Sequence, residues 1–346
     1  MIRELGPQFT PPLLALQWSG ETICIRSEYF AALNKLVDPS ILAEGDLRIL
    51  YTAMHGCGAG WLDGYLTEAG VTVHSLATDR DPYFGGRLPD PSPANLTPLA
   101  QAAREGGYNL VVGTDGDADR FGLVDPKGNY FSANHALPLL ADYLIKAKGR
   151  SGALVRTVAT SELVDAVAKE HKLPLIETKV GFKYIADELR KGALIGAEES
   201  GGISIQGHVP EKDGILATLL MLEMMADTGT GLHELLQQTM DRLGHRYYTR
   251  VDLVMPDEAK ARLLNALKDE SFTEIASRRI AAKKTIDGVK LSFADGCWAM
   301  IRPSGTEPVV RVYMEALDIA ELENMAAVIE QEIGVLAGQA IHRAAH

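Results

Sequence analysis

The chain has 346 residues, 46% of them apolar, and a formal net charge of −12 at pH 7. This length and apolar content predict two or three globular domains with buried cores. The acidic balance, without any run of lysine and arginine, argues against nucleic-acid binding and against docking to an anionic membrane.

The cysteines and the apolar segments indicate the cellular compartment. Cys24, Cys57 and Cys297 form no C-x-x-C pair, so the sequence predicts neither a disulfide framework nor a zinc site. The apolar stretch at residues 13–16 is too short for a signal peptide, and no segment reaches about eighteen apolar residues in succession. We therefore expect a cytoplasmic protein that does not enter a membrane.

The first two segments differ in their regularity. Residues 1–44 contain prolines at positions 7, 11 and 12, and only residues 28–37 have helical spacing, which predicts a linker or the remnant of a first domain. Residues 45–148 alternate strand-like and helical patterns in the order β-α-β-α-β. This order predicts a mostly parallel sheet with covering helices.

The last two segments complete the predicted fold. Residues 149–245 repeat the alternating order and add two helices, at 213–226 and 232–243. Residues 246–346 read as four strands and two helices, with a hairpin at Asp295-Gly296. The predicted fold class is α/β, with two successive mixed or parallel α/β sheet domains followed by a smaller α+β C-terminal domain.

The most informative motif is Asp115-Gly116-Asp117-Ala118-Asp119-Arg120, which we call the metal loop. It follows an apolar strand, whose carboxyl end is where α/β sheets usually bind ligands. Three alternating carboxylates favour a hard cation such as Mg²⁺ beside a phosphate. A solvated polar turn is one alternative. Another is a phosphotransferase of the haloacid dehalogenase type, in which Asp115 attacks phosphorus and Asp117 moves the proton.

Residues 55–61 form a glycine-rich segment between a predicted strand and a predicted helix. A dinucleotide-binding turn is one interpretation, but Trp61 stands where that motif requires its third glycine. The pattern favours the other interpretation, a tight strand-to-helix turn.

A second polar motif, residues 196–202, follows another predicted strand, and we call it the sugar loop. Its Glu198 and Ser200 offer the carboxylate and the hydroxyl that suit sugar hydroxyl groups, and the flanking glycines allow close approach of a ligand. An acidic loop with a capping serine is the alternative. Neighbouring cations are predicted to bind substrate: Lys179, Lys183 and Lys212.

The third motif, residues 302–308, lies between two predicted strands, and we call it the phosphate loop. Arg302, Ser304, Gly305 and Thr306 supply a guanidinium, two hydroxyls and an exposed backbone, which together form a phosphate cradle. Arg311 offers a second cation, and a structural turn is the alternative.

These three motifs, in this order, resemble the α-D-phosphohexomutase family, the phosphoglucomutases and phosphomannomutases. The resemblance covers about residues 45–336, and residues 81–86, 180–185 and 210–215 point to the phosphoglucomutase-like branch. In that family four domains surround one cleft. A phosphoserine of the first domain transfers its phosphoryl group to a hexose monophosphate, and a bisphosphate intermediate then returns the other phosphate.

The resemblance implies cofactors and residue roles. The implied cofactors are Mg²⁺ and an activator of the glucose 1,6-bisphosphate type, and the implied partner is a hexose phosphate. Asp115, Asp117 and Asp119 would hold the metal, and Arg120 would act as a catalytic residue beside the transferring phosphoryl group. Glu198 and Ser200 would bind sugar hydroxyls. The non-reacting phosphate would lie on the remaining set: Arg302, Ser304, Gly305 and Thr306.

The sequence departs from the family at the nucleophile. The motif T-A-S-H-N-P, or a near relative, does not occur in it. We therefore expect a chain that lacks most or all of the phosphoserine domain, is impaired or inactive alone, and self-associates through the face so exposed. The alternatives are a non-catalytic hexose-phosphate binder and a Mg²⁺-dependent phosphotransferase or phosphatase that uses Asp115.

Overall fold

A computed structural model describes residues 23–305, 307–338 and 342–344. It contains two mixed α/β sheets followed by an antiparallel sheet, and this confirms the predicted fold class. The sheets follow one another along the chain, and each has helices packed on it.

Two helices precede the first sheet, α1 (Arg26–Leu33) and α2 (Pro39–Glu44). The helical spacing predicted at residues 28–37 agrees with α1, whereas α2 was not predicted, and residues 1–22 lie outside the described part. Leu33 and Leu42 are fully buried, and the Asp38 side chain caps α2 by accepting from the Ser40 N–H. A short helix of this kind carries little periodicity, and its burial comes from tertiary packing.

The first sheet has the strand order β2-β1-β3-β4-β5. β1 pairs in parallel with β2 and β3, whereas β4 and β5 form an antiparallel edge that the sequence pattern did not predict. A 3₁₀ turn at Thr97–Leu99, where Pro98 supplies no backbone N–H, separates two short helices that precede β3. The elements are β1 (Arg48–Thr52), α3 (Leu62–Glu68), β2 (Thr72–Leu76), α4 (Pro93–Leu96), α5 (Ala100–Gly106), β3 (Leu110–Thr114), β4 (Phe121–Val124) and β5 (Tyr130–Phe131).

The second sheet has the order β7-β6-β8-β9, again with a parallel centre and one antiparallel edge. One continuous apolar core joins it to the first sheet. The elements are α6 (Ala133–Lys146), β6 (Leu154–Thr157), α7 (Leu163–Glu170), β7 (Leu175–Thr178), α8 (Phe182–Arg190), β8 (Ile195–Ala197), β9 (Ile203–Ile205), α9 (Gly214–Thr228) and α10 (Leu232–Leu243).

Helix α9 is the most apolar element of this part and lies almost entirely inside the core. In the described part of the chain, no single helix is long and apolar enough to cross a membrane. Helices α9 and α10 reach the required length only as a pair, and that pair is bent by 82°.

The third sheet is antiparallel, with the order β11-β12-β13-β14-β15-β10-β16. The predicted hairpin is confirmed, because β13 pairs with β14 around the turn at Asp295-Gly296. Trp298, Met300 and Tyr313 of this sheet pack against Val158 and Ala159 of the second. The elements are β10 (Tyr247–Val254), α11 (Asp257–Lys268), β11 (Glu274–Ile275), β12 (Arg278–Lys284), β13 (Val289–Phe293), β14 (Trp298–Pro303), β15 (Val309–Ala316), α12 (Ile319–Ala337) and β16 (His342–Arg343).

Helix α1 is expected to contribute to global stability. Leu33→Ala should lower the free energy of unfolding by about 2–5 kcal/mol, because it leaves a cavity in the shared core. Val335→Ala is the matched control, since Val335 is 76% exposed. Urea unfolding measures both variants, and equal midpoints would contradict the placement of α1 in the core.

Candidate functional site

The three polar loops follow strands of three different sheets. The metal loop follows β3, the sugar loop follows β8, and the phosphate loop connects β14 to β15. Side chains that leave the carboxyl ends of parallel strands meet at one edge of a sheet. Each loop is therefore positioned by the strand that precedes it. Whether the three loops form one site depends on the contacts between them.

The metal loop brings three carboxylates together. One ligand oxygen from each of Asp115, Asp117 and Asp119 lies within 4.8 Å of the other two. Asp115 is 1% exposed, whereas Asp117 is exposed and Asp119 is half-buried. An all-oxygen donor set of this size fits a hard cation such as Mg²⁺.

Two cations lie beside these carboxylates. Both Asp115 oxygens accept from Arg120, one from its backbone N–H at 2.9 Å and one from Nε at 2.7 Å. Arg120 Nη1 donates to Asp90 at 3.0 Å, and Lys212 Nζ lies 2.6 Å from Asp119. Burial raises the pKa of the Asp115 carboxyl, and the hydrogen bonds from Arg120 oppose that rise. The carboxylates still outnumber the cations, which suits a divalent ion.

Two glycines allow neighbouring segments to approach the metal loop. A Cβ at Gly56 would lie 2.8 Å from the Gly116 carbonyl oxygen, and one at Gly214 would lie 2.5 Å from the Arg120 carbonyl oxygen. Gly214 also donates its N–H to Ala118. The glycine-rich segment at 55–61 thus packs as a tight turn against the metal loop, which agrees with the favoured sequence interpretation.

The sugar loop carries a buried acid and an exposed hydroxyl. Glu198 is 7% exposed and accepts from the Gly181 N–H at 2.7 Å, while Ser200 is exposed. Burial, with the Glu199 carboxylate nearby, raises the pKa of Glu198 to about 7. At neutral pH Glu198 can therefore either accept or donate a hydrogen bond.

Lys212 joins the metal loop to the sugar loop. Its side chain crosses Gly202, where a Cβ would lie 2.3 Å from Lys212 Cδ, and its ammonium pairs with Asp119. The other two predicted cations, Lys179 and Lys183, are exposed near the end of β7 and the start of α8. Of the three lysines, Lys212 is the one that contacts the metal loop.

The phosphate loop presents its donors at the end of β14. Arg302 and Arg311 are directly opposite in the β14–β15 register, and Ser304 is buried while Gly305 is exposed. Arg311 Nη2 lies 2.5 Å from the Glu307 carboxylate. Thr306 lies outside the described residues.

Asp287 joins the phosphate loop to the sugar loop. Its Oδ2 accepts from the Val180 N–H at 3.1 Å and lies 3.1 Å from Arg302 Nε. The adjacent Gly181 N–H donates to Glu198. Contacts therefore run from the metal loop through the sugar loop to the phosphate loop, and the structure brings the three motifs together.

The sequence analysis assigned no role to two of the acids that support this site, Asp90 and Asp287, and it gave no partner for a third, Glu199 of the sugar loop. Asp90 holds Arg120, Asp287 holds Arg302, and Glu199 accepts from the Thr157 hydroxyl at 3.2 Å. A turn signal at Asp287-Gly288 was available in the sequence. No local pattern identifies Asp90 or Glu199 as a partner of residues far away in the chain.

Three family models match the chain, and together they cover most of it. They describe phosphoglucomutase/phosphomannomutase alpha/beta/alpha domain II at residues 27–128, alpha/beta/alpha domain III at 132–243, and the C-terminal domain at 254–332. The matched models follow the same order as the three sheets.

Individual proteins agree with these models. A phosphoglucomutase/phosphomannomutase of Thermococcus kodakarensis is 31% identical over 289 residues, which are 83% of this chain and 61% of the relative. The crystal structure of a putative phosphomannomutase from Thermus thermophilus superposes with a TM-score of 0.78 at 31% identity, covering 90% of this chain and 67% of that one.

A more distant structure shares the fold alone. It is Aspergillus fumigatus N-acetylphosphoglucosamine mutase in complex with GlcNAc-6P and magnesium, with a TM-score of 0.58 and 16% identity, covering 90% of this chain and 66% of that one. The chain thus spans about three fifths of the length of the Thermococcus kodakarensis relative.

The close approach at Gly214 gives a steric prediction. Gly214→Ala should displace the metal loop and lower the free energy of unfolding by about 1–3 kcal/mol, because the new methyl group meets backbone atoms. Gly231→Ala is the control, since a Cβ there meets nothing within 4 Å. Thermal unfolding compares the two variants. A Gly214→Ala protein as stable as the control would contradict the close approach.

The raised pKa of Glu198 predicts a pH dependence of stability. Between its ordinary pKa of 4.5 and the folded value of about 7, the folded chain binds the extra proton. This stabilisation is complete below pH 4.5 and is lost as the pH rises to about 7. Glu198→Gln should abolish a decline of roughly 1–3 kcal/mol.

Urea unfolding of the wild type and the Glu198→Gln variant at several pH values between 4.5 and 8 measures this difference. The exposed Glu234→Gln is the control and should follow the wild-type curve. If the Glu198→Gln and wild-type curves stay parallel, Glu198 does not hold the proton.

Proposed function

The chain belongs to the phosphoglucomutase/phosphomannomutase family, and from this premise we propose that it binds a hexose phosphate with Mg²⁺ and serves the interconversion of hexose 1-phosphate and hexose 6-phosphate. The observation that carries the proposal is the contact chain that connects the three loops, through Lys212 on one side and Asp287 on the other. A sugar phosphate that spans these loops would contact, in turn, the groups proposed to bind the cation, the sugar hydroxyls and the phosphate.

The phosphate loop would hold the phosphate that does not react. Arg302 and Arg311 are neighbours across the strand pair, and the exposed Gly305 leaves its backbone open to a ligand. Guanidinium groups bind phosphate by paired, charge-assisted hydrogen bonds. Fixing this end of the substrate would convert binding free energy into alignment of the other end.

The sugar loop would bind the hydroxyl groups of the hexose. Glu198 accepts from the Gly181 N–H and lies near Lys212 and Asp119, and its carboxyl group can accept or donate at neutral pH. Ser200 adds an exposed hydroxyl. Both groups can hydrogen-bond the hydroxyls of several hexoses, so glucose, mannose and glucosamine are all candidate sugars.

The metal loop would lie at the reacting phosphoryl group. Asp115, Asp117 and Asp119 would hold Mg²⁺, which when bound would neutralise phosphoryl charge. The magnesium in the Aspergillus fumigatus relative supports this cofactor. Arg120 is held by two carboxylates, so its guanidinium is fixed in place and would add positive charge there. A bisphosphate of the glucose 1,6-bisphosphate type would be the activator.

The proposed reaction also needs a group that accepts the phosphoryl group. Asp115 is a poor nucleophile, because it is buried and both of its oxygens accept from Arg120. The Ser27 and Ser40 hydroxyls donate to Glu28 and Asp38. We propose that this chain binds substrate and that turnover requires a phosphoryl acceptor beyond these groups.

The face beside the metal loop bears on self-association, which stays a prediction. A cavity of about 290 Å³ is lined there by Ile25, Tyr29 and Trp61 together with Asp119 and Lys212. Ile25 is 58% exposed. An apolar surface next to the metal loop would suit a further domain or a second chain.

Substrate binding and turnover test the proposal separately. With Mg²⁺ present, glucose 1-phosphate should bind in isothermal titration, and Arg302→Gln should weaken binding about tenfold to a hundredfold by removing a bidentate phosphate contact. The control is Arg190→Gln, an exposed arginine on α8 that pairs with Asp187.

A coupled assay for glucose 6-phosphate, with a trace of glucose 1,6-bisphosphate, reads turnover by the same preparation. Binding without turnover is the expected result. If the wild type turns over and Asp117→Asn does not, a phosphoryl acceptor lies within this chain. That result would overturn the proposed need for a further acceptor. Binding that is equal in both arginine variants would contradict the phosphate anchor.

A further inference from the structure

A second cavity, of about 380 Å³, lies at the carboxyl ends of β1 and β2 and has no role in the proposed function. Its volume falls in the range of small-molecule sites. Most of its wall is apolar, and the side chains include Met54, Leu76, Phe84, Leu88 and Leu99.

Strained backbone surrounds this cavity. Four lining residues other than glycine have positive φ: Met54 at 49°, His55 at 59°, Ala77 at 51° and Phe84 at 51°. Residues other than glycine rarely adopt this backbone conformation, and it persists only where the surrounding structure enforces it. The gathering of four such residues around one cavity is typical of a ligand site.

The charge of the wall indicates the ligand. Arg87 and His55 line the cavity, and no carboxylate does so among the described residues. The nearby acids are engaged, because Asp79 lies against His55 and Asp81 accepts two backbone N–H groups. In the described part of the chain, the Arg87 guanidinium has no hydrogen-bond or ion-pair partner. The wall therefore offers one available positive charge beside an apolar surface.

The segment from Phe84 to Asp90 separates this cavity from the metal loop. Gly116 donates its N–H to the Pro89 carbonyl oxygen at 3.1 Å, and Asp90 accepts from Arg120 at 3.0 Å. The Phe84 ring also packs near Gly116. Groups that line the cavity on one side thus contact the metal loop on the other.

We propose that this cavity binds a small apolar carboxylate, with its apolar body against Leu76, Phe84 and Leu99 and its carboxylate on Arg87. The side-chain amide of Asn95 in the wall already donates to the Leu88 and Asp90 carbonyl oxygens, so it offers no free N–H to a ligand. The Phe84–Asp90 segment would then lie between the bound anion and the metal loop.

Isothermal titration of the full chain with 1-naphthoate tests the site. Saturable binding of one molecule per chain is expected. Arg87→Gln should weaken it about tenfold or more, because it removes the charge that faces the carboxylate. Arg80→Gln is the matched control, an exposed arginine outside the wall with the same change of charge. The neutral probe 1-naphthalenemethanol should also bind about tenfold more weakly.

Hydrogen exchange locates the bound probe. Naphthoate should slow amide exchange in residues 84–90 and at Gly116, whose N–H is bonded to this segment. Absence of saturable binding, equal affinity of the two arginine variants, or protection confined to other segments would each overturn the proposal. Neither measurement uses a metal or a hexose phosphate, so failure here is distinct from failure of the proposed function.

Discussion

The structure of the site depends on the pairing of Arg120 with Asp115. Arg120 donates twice to the buried Asp115 and once to Asp90, which folds the metal loop back on its own strand. A buried carboxylate is stable only when it is paired and hydrogen-bonded. Gly56 and Gly214 have no side chains, so their backbones can pack directly against the metal loop. The segment that follows β1 and the start of helix α9 therefore contact the loop in the conformation that the Arg120–Asp115 pair stabilises.

The rest of the site is assembled across sheets. Lys212 connects the metal loop to the sugar loop, and Asp287 connects the sugar loop to the phosphate loop. Both links use charged groups that belong to segments between the motifs. The phosphate end and the metal end are therefore positioned relative to each other by the protein, which is the requirement for using remote binding energy in phosphoryl transfer.

The residues of the three loops are suited to binding a ligand but not to accepting a phosphoryl group. Under the proposed function, their carboxylates, guanidinium groups and hydroxyls would bind a cation and both ends of a sugar phosphate. The same environment argues against Asp115 as a nucleophile, because Arg120 occupies its oxygens. Of the alternatives that the sequence left open, a binding chain agrees better with this geometry than an aspartyl phosphotransferase does.

The sequence by itself determined the fold class, the three motifs and the strand ends that carry them, because strand periodicity and loop composition are local properties. It did not determine helix α2, the edge strands β4 and β5, or the partners of Lys212 and Arg302. Short elements carry too little periodicity to be read, and Asp287 contacts Val180 across 107 positions of sequence. Only tertiary packing decides such contacts, since it sets which distant groups share one buried space.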